Sequence, residues 1–313
     1  MQTQGSTPAS EAGDKPPRYF QKHLLGIFIL CGLLLAGQTP AWSKQESVGE
    51  HYLGETLTYN VGLLWFDKAF YCTINLQRGE KPGEYLATFW GKTQGFLGWL
   101  AQYRERLYLA YLEEVDGGKR LRTKLFERHS IKGNKFSREV HEFDYVQKKW
   151  RIREYDQDKL TFEEIRKLPS ETGHFEDILS AFYNFRYQNY GVWEKGKSYT
   201  LPAYSLNKSL FPFHVSLLSQ DRQERHHLKE DNDLPTDYLA YVKVDKEIFT
   251  TEEGIMWVWL NSHHIPTRGI VEDAIGFGDI YGYIEKIHLD KANPTAHIPQ
   301  KITLKNLFPA GVK

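Results

Sequence analysis

The chain alternates hydrophobic and polar residues over most of its length, and this alternation predicts a fold built mainly of β-strands. Side chains of a strand point alternately to the two faces of a sheet, so apolar residues at every second position share one face. In the clearest strand, residues 56–65, one face carries Leu57, Tyr59, Val61, Leu63 and Trp65. Further β-rich runs, joined by short turns, follow at residues 69–77, 85–92, 103–113, 120–129, 136–145, 149–155, 198–206, 212–219, 238–249, 255–261, 267–272 and 281–289.

Residues 174–189 instead show the spacing of an amphipathic helix. Apolar residues recur there every three or four positions, at Phe175, Ile178, Leu179, Phe182 and Tyr183. We expect Asp177 to stabilise the helix N-terminus, and Arg186 to bind either the C-terminal carbonyls or an acid on a strand. Strands joined by short turns pair antiparallel, so the pattern predicts a large antiparallel sheet with one central amphipathic helix.

The N-terminus is typical of a secretory signal peptide. Arg18 and Lys22 precede a short apolar run, residues 24–37, which is followed by Ala41-Trp42-Ser43. This run is shorter than the roughly 20 residues that a membrane-spanning helix needs. We therefore predict that residues 1–43 are removed, that residues 44–313 form a single β-rich domain in the periplasm or another exported compartment, and that no transmembrane span remains. An uncleaved anchor is the alternative.

Composition narrows the class of protein further. The 313 residues carry 40 basic and 40 acidic side chains, and this balance argues against a nucleic-acid-binding protein. The two cysteines are too few for a disulfide scaffold or a four-thiolate zinc site. Only Cys72 remains after signal cleavage, and its position in the strand pattern predicts that it is buried.

No pattern of catalytic or metal-binding residues stands out. The chain has no GxSxG sequence, phosphate-binding loop or dinucleotide fingerprint. His226-His227 and His263-His264 are adjacent pairs, and neighbouring residues of a strand point to opposite faces, so neither pair can chelate one metal alone. We therefore predict no catalytic residue, no metal site and no cofactor, and a non-enzymatic role is favoured.

Two segments could mediate surface contacts. Residues 119–138 are strongly basic, and Arg120, Arg122 and Lys124 share one face of a predicted strand. This face is either simply solvated or a patch for an anionic envelope component, such as lipid headgroups. Residues 95–100, Gly-Phe-Leu-Gly-Trp-Leu, form an apolar predicted loop that either caps the core or touches a ligand or membrane.

Three segments resemble, in the same order, the bacterial family catalogued as domain of unknown function 3108. They are the opening strand GETLTYNVGLLWFDKAF (residues 54–70), the helix start EDILSAFYNFR (176–186) and the late segment VWLNSHHIPTRGIVEDAIGFGDIYGYIEKI (258–287). The resemblance covers residues 50–290, but His263-His264-Ile265-Pro266 stands where the family often has an acidic pair. It implies an exported envelope protein with a large curved sheet, similar to the half-barrels of lipoprotein carriers, and no known activity.

Two functions follow as expectations. The first is a non-enzymatic binding or carrier-like module for an apolar or amphiphilic ligand, such as a lipid, or for an envelope partner. The ligand would bind on the inner sheet face, through Leu57, Tyr59, Val61, Trp65 and Phe182. A sheet that closes on itself and fills its interior with the same side chains is the competing explanation. The second function is a hydrolase or transferase acting on an envelope polymer. A deep apolar groove would support the first function, and carboxylates or a His–acid pair in a cleft would support the second.

Overall fold

The structure is a computed structural model that describes residues 46–63, 66–100, 102–168, 174–203, 212–227, 237–244, 253–272 and 278–292. The predicted signal peptide and Trp65 lie outside these residues. The strands are β1 (Glu55–Leu63), β2 (Phe66–Arg78), β3 (Glu84–Thr93), β4 (Glu105–Val115), β5 (Arg120–Lys132), β6 (Lys135–Asp144), β7 (Lys149–Asp156), β8 (Lys159–Lys167), β9 (Ser198–Leu201), β10 (Phe213–Leu217), β11 (Tyr238–Lys243), β12 (Ile255–Leu260), β13 (Pro266–Val271) and β14 (Ile280–Leu289).

All fourteen strands belong to one antiparallel sheet, which confirms the predicted fold class. The strand order is β8-β7-β6-β5-β4-β3-β2-β1-β14-β13-β12-β11-β10-β9. Consecutive strands of the chain are therefore neighbours in the sheet, except β8 and β9, which form its two edges. Strands β1 and β14, which are distant in the chain, pair with each other. The sequence pattern missed the edge strand β8, because most of its side chains on both faces are exposed and show no alternation. Charged edge strands of this kind discourage pairing with other chains.

Among the described residues, four α-helices accompany the sheet: α1 (Val48–Tyr52), α2 (Gly95–Leu100), α3 (Ile178–Arg186) and α4 (Gln220–His227). The central helix α3 begins four residues later than predicted, because the Asp177 carboxylate accepts hydrogen bonds from the backbone N–H groups of Leu179 (2.7 Å) and Ser180 (3.3 Å). Residues 95–100, which were predicted to form a loop, form α2, and α4 lies in a segment for which the pattern predicts no strand or helix. Within the described residues, no helix is long and apolar enough to span a membrane.

The sheet curves around α3. Residues of β2 and of β9 line the same cavity, although seven strand spacings separate these strands in the sheet order. In a flat sheet they would be about 34 Å apart at the usual strand spacing. Register shifts in β1, β4, β7 and β12 contribute to this curvature, because irregularities of the ladder bend a strand and increase its twist.

Helix α3 separates two hydrophobic clusters on the concave face. Leu179 and Tyr183 pack in the first cluster, with residues of β2 to β7. Ala181 and Phe185 pack in the second cluster, with residues of β9 to β12. The helix therefore packs against both halves of the sheet, and Ile178 contacts both clusters.

Candidate functional site

An apolar cavity of about 350 Å³ lies between α3 and the concave face of the sheet. Its volume is within the range of small-molecule binding sites. Several lining side chains are only half-buried, so solvent reaches the cavity. The residues that line it come from α3 and both halves of the sheet: Tyr59, Val61, Cys72, Ile74, Ile178, Ala181, Phe182, Phe185, Arg186, Leu201, Phe213, Val215, Ala240, Val242, Val244, Met256, Val258, Leu260, Pro266, Arg268, Gly269, Val271, Ile280 and Gly282.

One wall of the cavity is formed by β9 to β12. Every second residue of these strands is apolar and points inward, so the wall is built almost wholly of aliphatic side chains. In β12 the inward residues are Met256, Val258 and Leu260. Because aliphatic groups form no hydrogen bonds, this wall favours hydrocarbon over a hydrated polar ligand.

The opposite wall is formed by β1, β2 and α3. The Tyr59 hydroxyl donates a hydrogen bond to the Pro266 carbonyl oxygen, at 3.0 Å, so its polar atom is already satisfied within the protein. Burial raises the pKa of the Cys72 thiol to about 12. The thiol therefore stays protonated at neutral pH and contributes to the wall as a small apolar group.

Two glycines leave space in the part of the sheet between these walls. Gly269 of β13 and Gly282 of β14 are directly paired across the strands, and Gly282 is also paired with Val61 of β1. Neither glycine has the positive φ that would require this residue. A Cβ at Gly282 would lie 3.5 Å from Val61 Cγ2, an ordinary van der Waals contact. A larger side chain at Gly282 would therefore project beside Val61 and occupy part of the cavity.

A buried ion pair closes one side of the cavity. The Arg186 guanidinium donates to both carboxylate oxygens of Glu55, with N–O distances of 2.6 and 2.8 Å. Its Nε donates to the His264 carbonyl oxygen at 3.0 Å, and the rings of Tyr52 and Phe182 lie 4.6 and 4.9 Å from the guanidinium carbon. The strand acid, one of the two partners predicted for Arg186, is thus Glu55. No local sequence pattern links Glu55 to Arg186, because the two residues are 131 positions apart.

The predicted ligand-binding residues are only partly brought together. Tyr59, Val61 and Phe182 all line the cavity. Leu57 does not line it, and its complete burial leaves no surface for a ligand. Trp65 lies outside the described residues. The prediction also missed the wall formed by β9 to β12, because strands so distant in the chain meet only when the sheet curves.

The predicted anionic-partner patch is balanced by acids on neighbouring segments. Arg120 Nη1 lies 3.7 Å from Glu176 Oε1, Arg122 Nη2 lies 2.7 Å from Glu113 Oε1, and Lys124 Nζ lies 2.7 Å from Glu84 Oε1. These three cations therefore present little unbalanced positive charge to a partner. Alternation within one strand could not reveal this, because the acids belong to β3, β4 and the residues before α3.

His264, from one of the two adjacent histidine pairs in the sequence, has structural partners. His264 Nδ1 donates to the Arg186 carbonyl oxygen at 2.9 Å, and the His264 ring lies 4.1 Å from the Trp193 ring. The side chains of His226 and His227 lie outside the description. Two buried His–Glu pairs, His129–Glu127 and His141–Glu139, lie on β5 and β6 and do not line the cavity. Among the described residues, no three His, Cys, Asp or Glu side chains are placed to hold a metal.

Glu176, two residues before the start of α3, is a buried acid whose pKa is raised. Burial raises its pKa to about 7, although Tyr190 donates a hydrogen bond to the carboxylate and Arg120 lies nearby. Its Oε1 has no hydrogen-bond partner, which is costly for a buried charged oxygen. The carboxyl group is therefore expected to be largely protonated at mildly acidic pH.

The elevated pKa of Glu176 makes stability depend on pH. The folded protein binds the proton more tightly than the unfolded chain, so this contribution is complete below about pH 4.5 and is lost as pH rises through about 7. The loss is on the order of 3 kcal/mol. We expect Glu176→Gln to flatten this dependence in urea unfolding measured at pH 5 and pH 8. If the free energy of unfolding changed equally between pH 5 and pH 8 in the variant and the wild type, Glu176 would not be the source of the pH dependence.

The fold and cavity together define a class of protein: an open antiparallel β-sheet curved around one helix, with an apolar cavity between them. The family model described as "Protein of unknown function (DUF3108)" matches residues 52–281. The chain belongs to this family, which confirms the resemblance seen in the three sequence segments. No curated protein matches the chain.

Solved structures that are similar to the chain include the following two proteins. A β-barrel-like protein of domain of unknown function DUF1849 from Brucella abortus has a TM-score of 0.41 and 11% identity, covering 75% of this chain and 97% of the other. A protein from Bacteroides fragilis, described as a putative exported protein with a YmcC-like fold, has a TM-score of 0.23 and 8% identity, covering 75% and 96%.

Proposed function

We propose that this protein is a non-enzymatic, carrier-like module that binds one apolar or amphiphilic molecule in the cavity beside α3. The observation that carries the proposal is the lining, in which aliphatic and aromatic side chains from eight strands and one helix face a shared space. An apolar ligand gains free energy by leaving water for such a surface, in proportion to the area buried.

The polar groups at the cavity favour an apolar or amphiphilic ligand that has few polar groups of its own. Tyr59 already hydrogen-bonds to the Pro266 carbonyl, and Arg186 is bound to Glu55, so the walls make few demands for ligand hydrogen bonds. A ligand with many polar groups would lose its hydration there without replacement. The alternative, a hydrolase or transferase, finds less support because none of the described His–acid pairs lines the cavity.

Export is part of the same proposal. The charged flank, the short apolar run and Ala41-Trp42-Ser43 favour removal of residues 1–43, and an exported carrier would meet lipids outside the cytoplasm. N-terminal sequencing of the protein from the envelope fraction tests this step. A first residue of Lys44 supports it, and an intact Met1 on membrane-bound protein contradicts it.

Titration of the delipidated protein with an environment-sensitive fluorescent fatty acid tests the binding proposal. We expect saturable binding with a micromolar dissociation constant and one site per chain. Val242→Glu is expected to abolish this binding, because it places a carboxylate among the apolar lining residues. Val242 is half-buried, so the new charge can remain hydrated and the fold should persist.

Lys243→Glu is the matched control for that charge. Lys243 is the next residue of β11 and is exposed, so the same carboxylate would stand outside the cavity. This variant should bind the probe as the wild type does, with both variants retaining the wild-type far-ultraviolet circular dichroism. Binding that is unsaturable, or equal in the two variants, would refute a cavity site.

A further inference from the structure

The segment around α2 carries three exposed aromatic side chains, which we name the aromatic tip: Phe96, Trp99 and Tyr103. Their side chains are 59%, 63% and 58% exposed, and all three lie within eight residues of the chain. The Phe96 ring contacts the rings of Phe66 and Trp99, with centroids 6.2 and 5.8 Å apart. Clustered exposed aromatic residues are unusual on a soluble surface and mark a site of contact.

The backbone holds the aromatic tip in place. The Gly98 N–H donates to the Gln94 carbonyl at 2.7 Å, and the Gly133 N–H donates to the Gln102 carbonyl at 3.1 Å, which joins the tip to the β5–β6 turn. Gln102 and Tyr103 both have positive φ, a conformation that non-glycine residues rarely adopt. The aromatic rings are thus presented to solvent by a fixed turn.

Unpaired positive charge surrounds the aromatic tip. At this end of the sheet, the ends of β2 to β6 and their flanking residues carry six cations, none of which forms an ion pair with a described acid. Only two acids, Asp67 and Glu105, lie in the same region, and Asp67 accepts a hydrogen bond from Tyr281. The six cations are Lys68, Lys92, Arg104, Arg106, Lys132 and Lys135.

Acids border this basic region on both sides. Asp156 and Asp158 lie beyond β6, and Glu272 and Asp279 lie beyond β1, at the ends of β13 and β14. The positive charge is therefore centred on the aromatic tip rather than spread along the whole rim of the sheet. This arrangement differs from the balanced surface of Arg120, Arg122 and Lys124 described above.

We propose that the aromatic tip and its surrounding cations dock the protein on a bilayer surface carrying anionic phospholipid headgroups. Tryptophan, phenylalanine and tyrosine favour the boundary between headgroups and acyl chains, and lysine and arginine are attracted to the phosphate layer above it. Charge complementarity selects this occupant over a neutral apolar partner. The site is separate from the cavity lining, so this inference goes beyond the proposed carrier function and stands without it.

Co-sedimentation with phosphatidylcholine vesicles, with and without phosphatidylglycerol, tests this docking. The wild type should bind the phosphatidylglycerol vesicles, more weakly as salt rises, and Phe96→Ser/Trp99→Ser should reduce the apparent affinity about tenfold or more. Lys132→Glu/Lys135→Glu should remove most of the preference for phosphatidylglycerol. The control is Val146→Ser/Val192→Ser, which removes two other exposed apolar side chains and should bind as the wild type does.

Vesicle binding and fatty-acid binding can be tested independently, because they involve different parts of the protein. Val242→Glu should retain vesicle binding while losing the fatty-acid probe. A wild type that does not sediment with phosphatidylglycerol vesicles would overturn the docking proposal, as would equal binding by Phe96→Ser/Trp99→Ser. A dimer seen by sedimentation velocity and dissociated by that double substitution would also overturn it, because the tip would then bind a second copy of the chain.

Discussion

Replacing Arg186 with leucine is expected to lower the free energy of unfolding by about 3–5 kcal/mol, because the buried Glu55 carboxylate loses its cation. The same substitution removes the hydrogen bond from Arg186 to the His264 carbonyl, which links α3 to the turn before β13. Urea unfolding followed by circular dichroism measures this loss. A change below about 1 kcal/mol would place the pair among weak surface interactions.

A double substitution separates the ion pair from general damage to the core. In Glu55→Leu/Arg186→Leu neither charge is buried alone, so this variant should be more stable than Arg186→Leu. Arg78→Leu is the matched surface control, since Arg78 also binds a glutamate, Glu50, but its side chain is 55% exposed. It should cost no more than about 1 kcal/mol. A double variant less stable than Arg186→Leu would contradict the argument.

Replacing Gly282 with leucine is expected to weaken fatty-acid binding by about 10- to 100-fold without loss of stability. The new side chain would project beside Val61 into the cavity and compete with the ligand for space. Overfilling a packed space typically costs about 1–3 kcal/mol, and here this cost weakens the complex rather than the free protein. Free protein should gain roughly 0.5–1 kcal/mol, because glycine weakens a strand interior. Probe titration and urea unfolding on the same preparation measure both effects.

Thr200→Leu provides the control for added leucine. Thr200 lies on β9, where it is exposed while its neighbours Tyr199 and Leu201 are buried, so the added side chain stays outside the cavity. Gly282→Ala should give an intermediate affinity, because its Cβ makes only an ordinary contact with Val61. Unchanged binding by Gly282→Leu in a folded protein would show that the ligand lies elsewhere.

The sheet could be predicted from the sequence because its strands alternate strictly where one face is buried. Strand β1 was located within a few residues from its alternation alone. Strand β8 was missed because exposure on both faces removes the alternation. The segment of α2 was expected to be a loop, since its two glycines indicate a bend and six residues are too few to show helical periodicity.

The cavity could be predicted only in part, because it depends on contacts between distant segments. Tyr59, Val61 and Phe182 were found from local periodicity alone. Glu55, the partner of Arg186, was not, because no local pattern links a strand residue to a helix 131 positions away. The role of Gly282 could not be predicted either, because the sequence does not distinguish a glycine that leaves space in a cavity from one that forms a turn.

Mass spectrometry of the intact protein, purified from cells and sprayed under non-denaturing conditions, tests the carrier function most directly. The expected spectrum shows one non-covalent adduct per chain, with the mass of an acyl-containing molecule, which denaturation releases and Gly282→Leu lacks. Thr200→Leu should carry the same adduct as the wild type. A bare chain in every preparation, even after incubation with excess fatty acid and phospholipid, would contradict the proposal that the cavity binds an amphiphile.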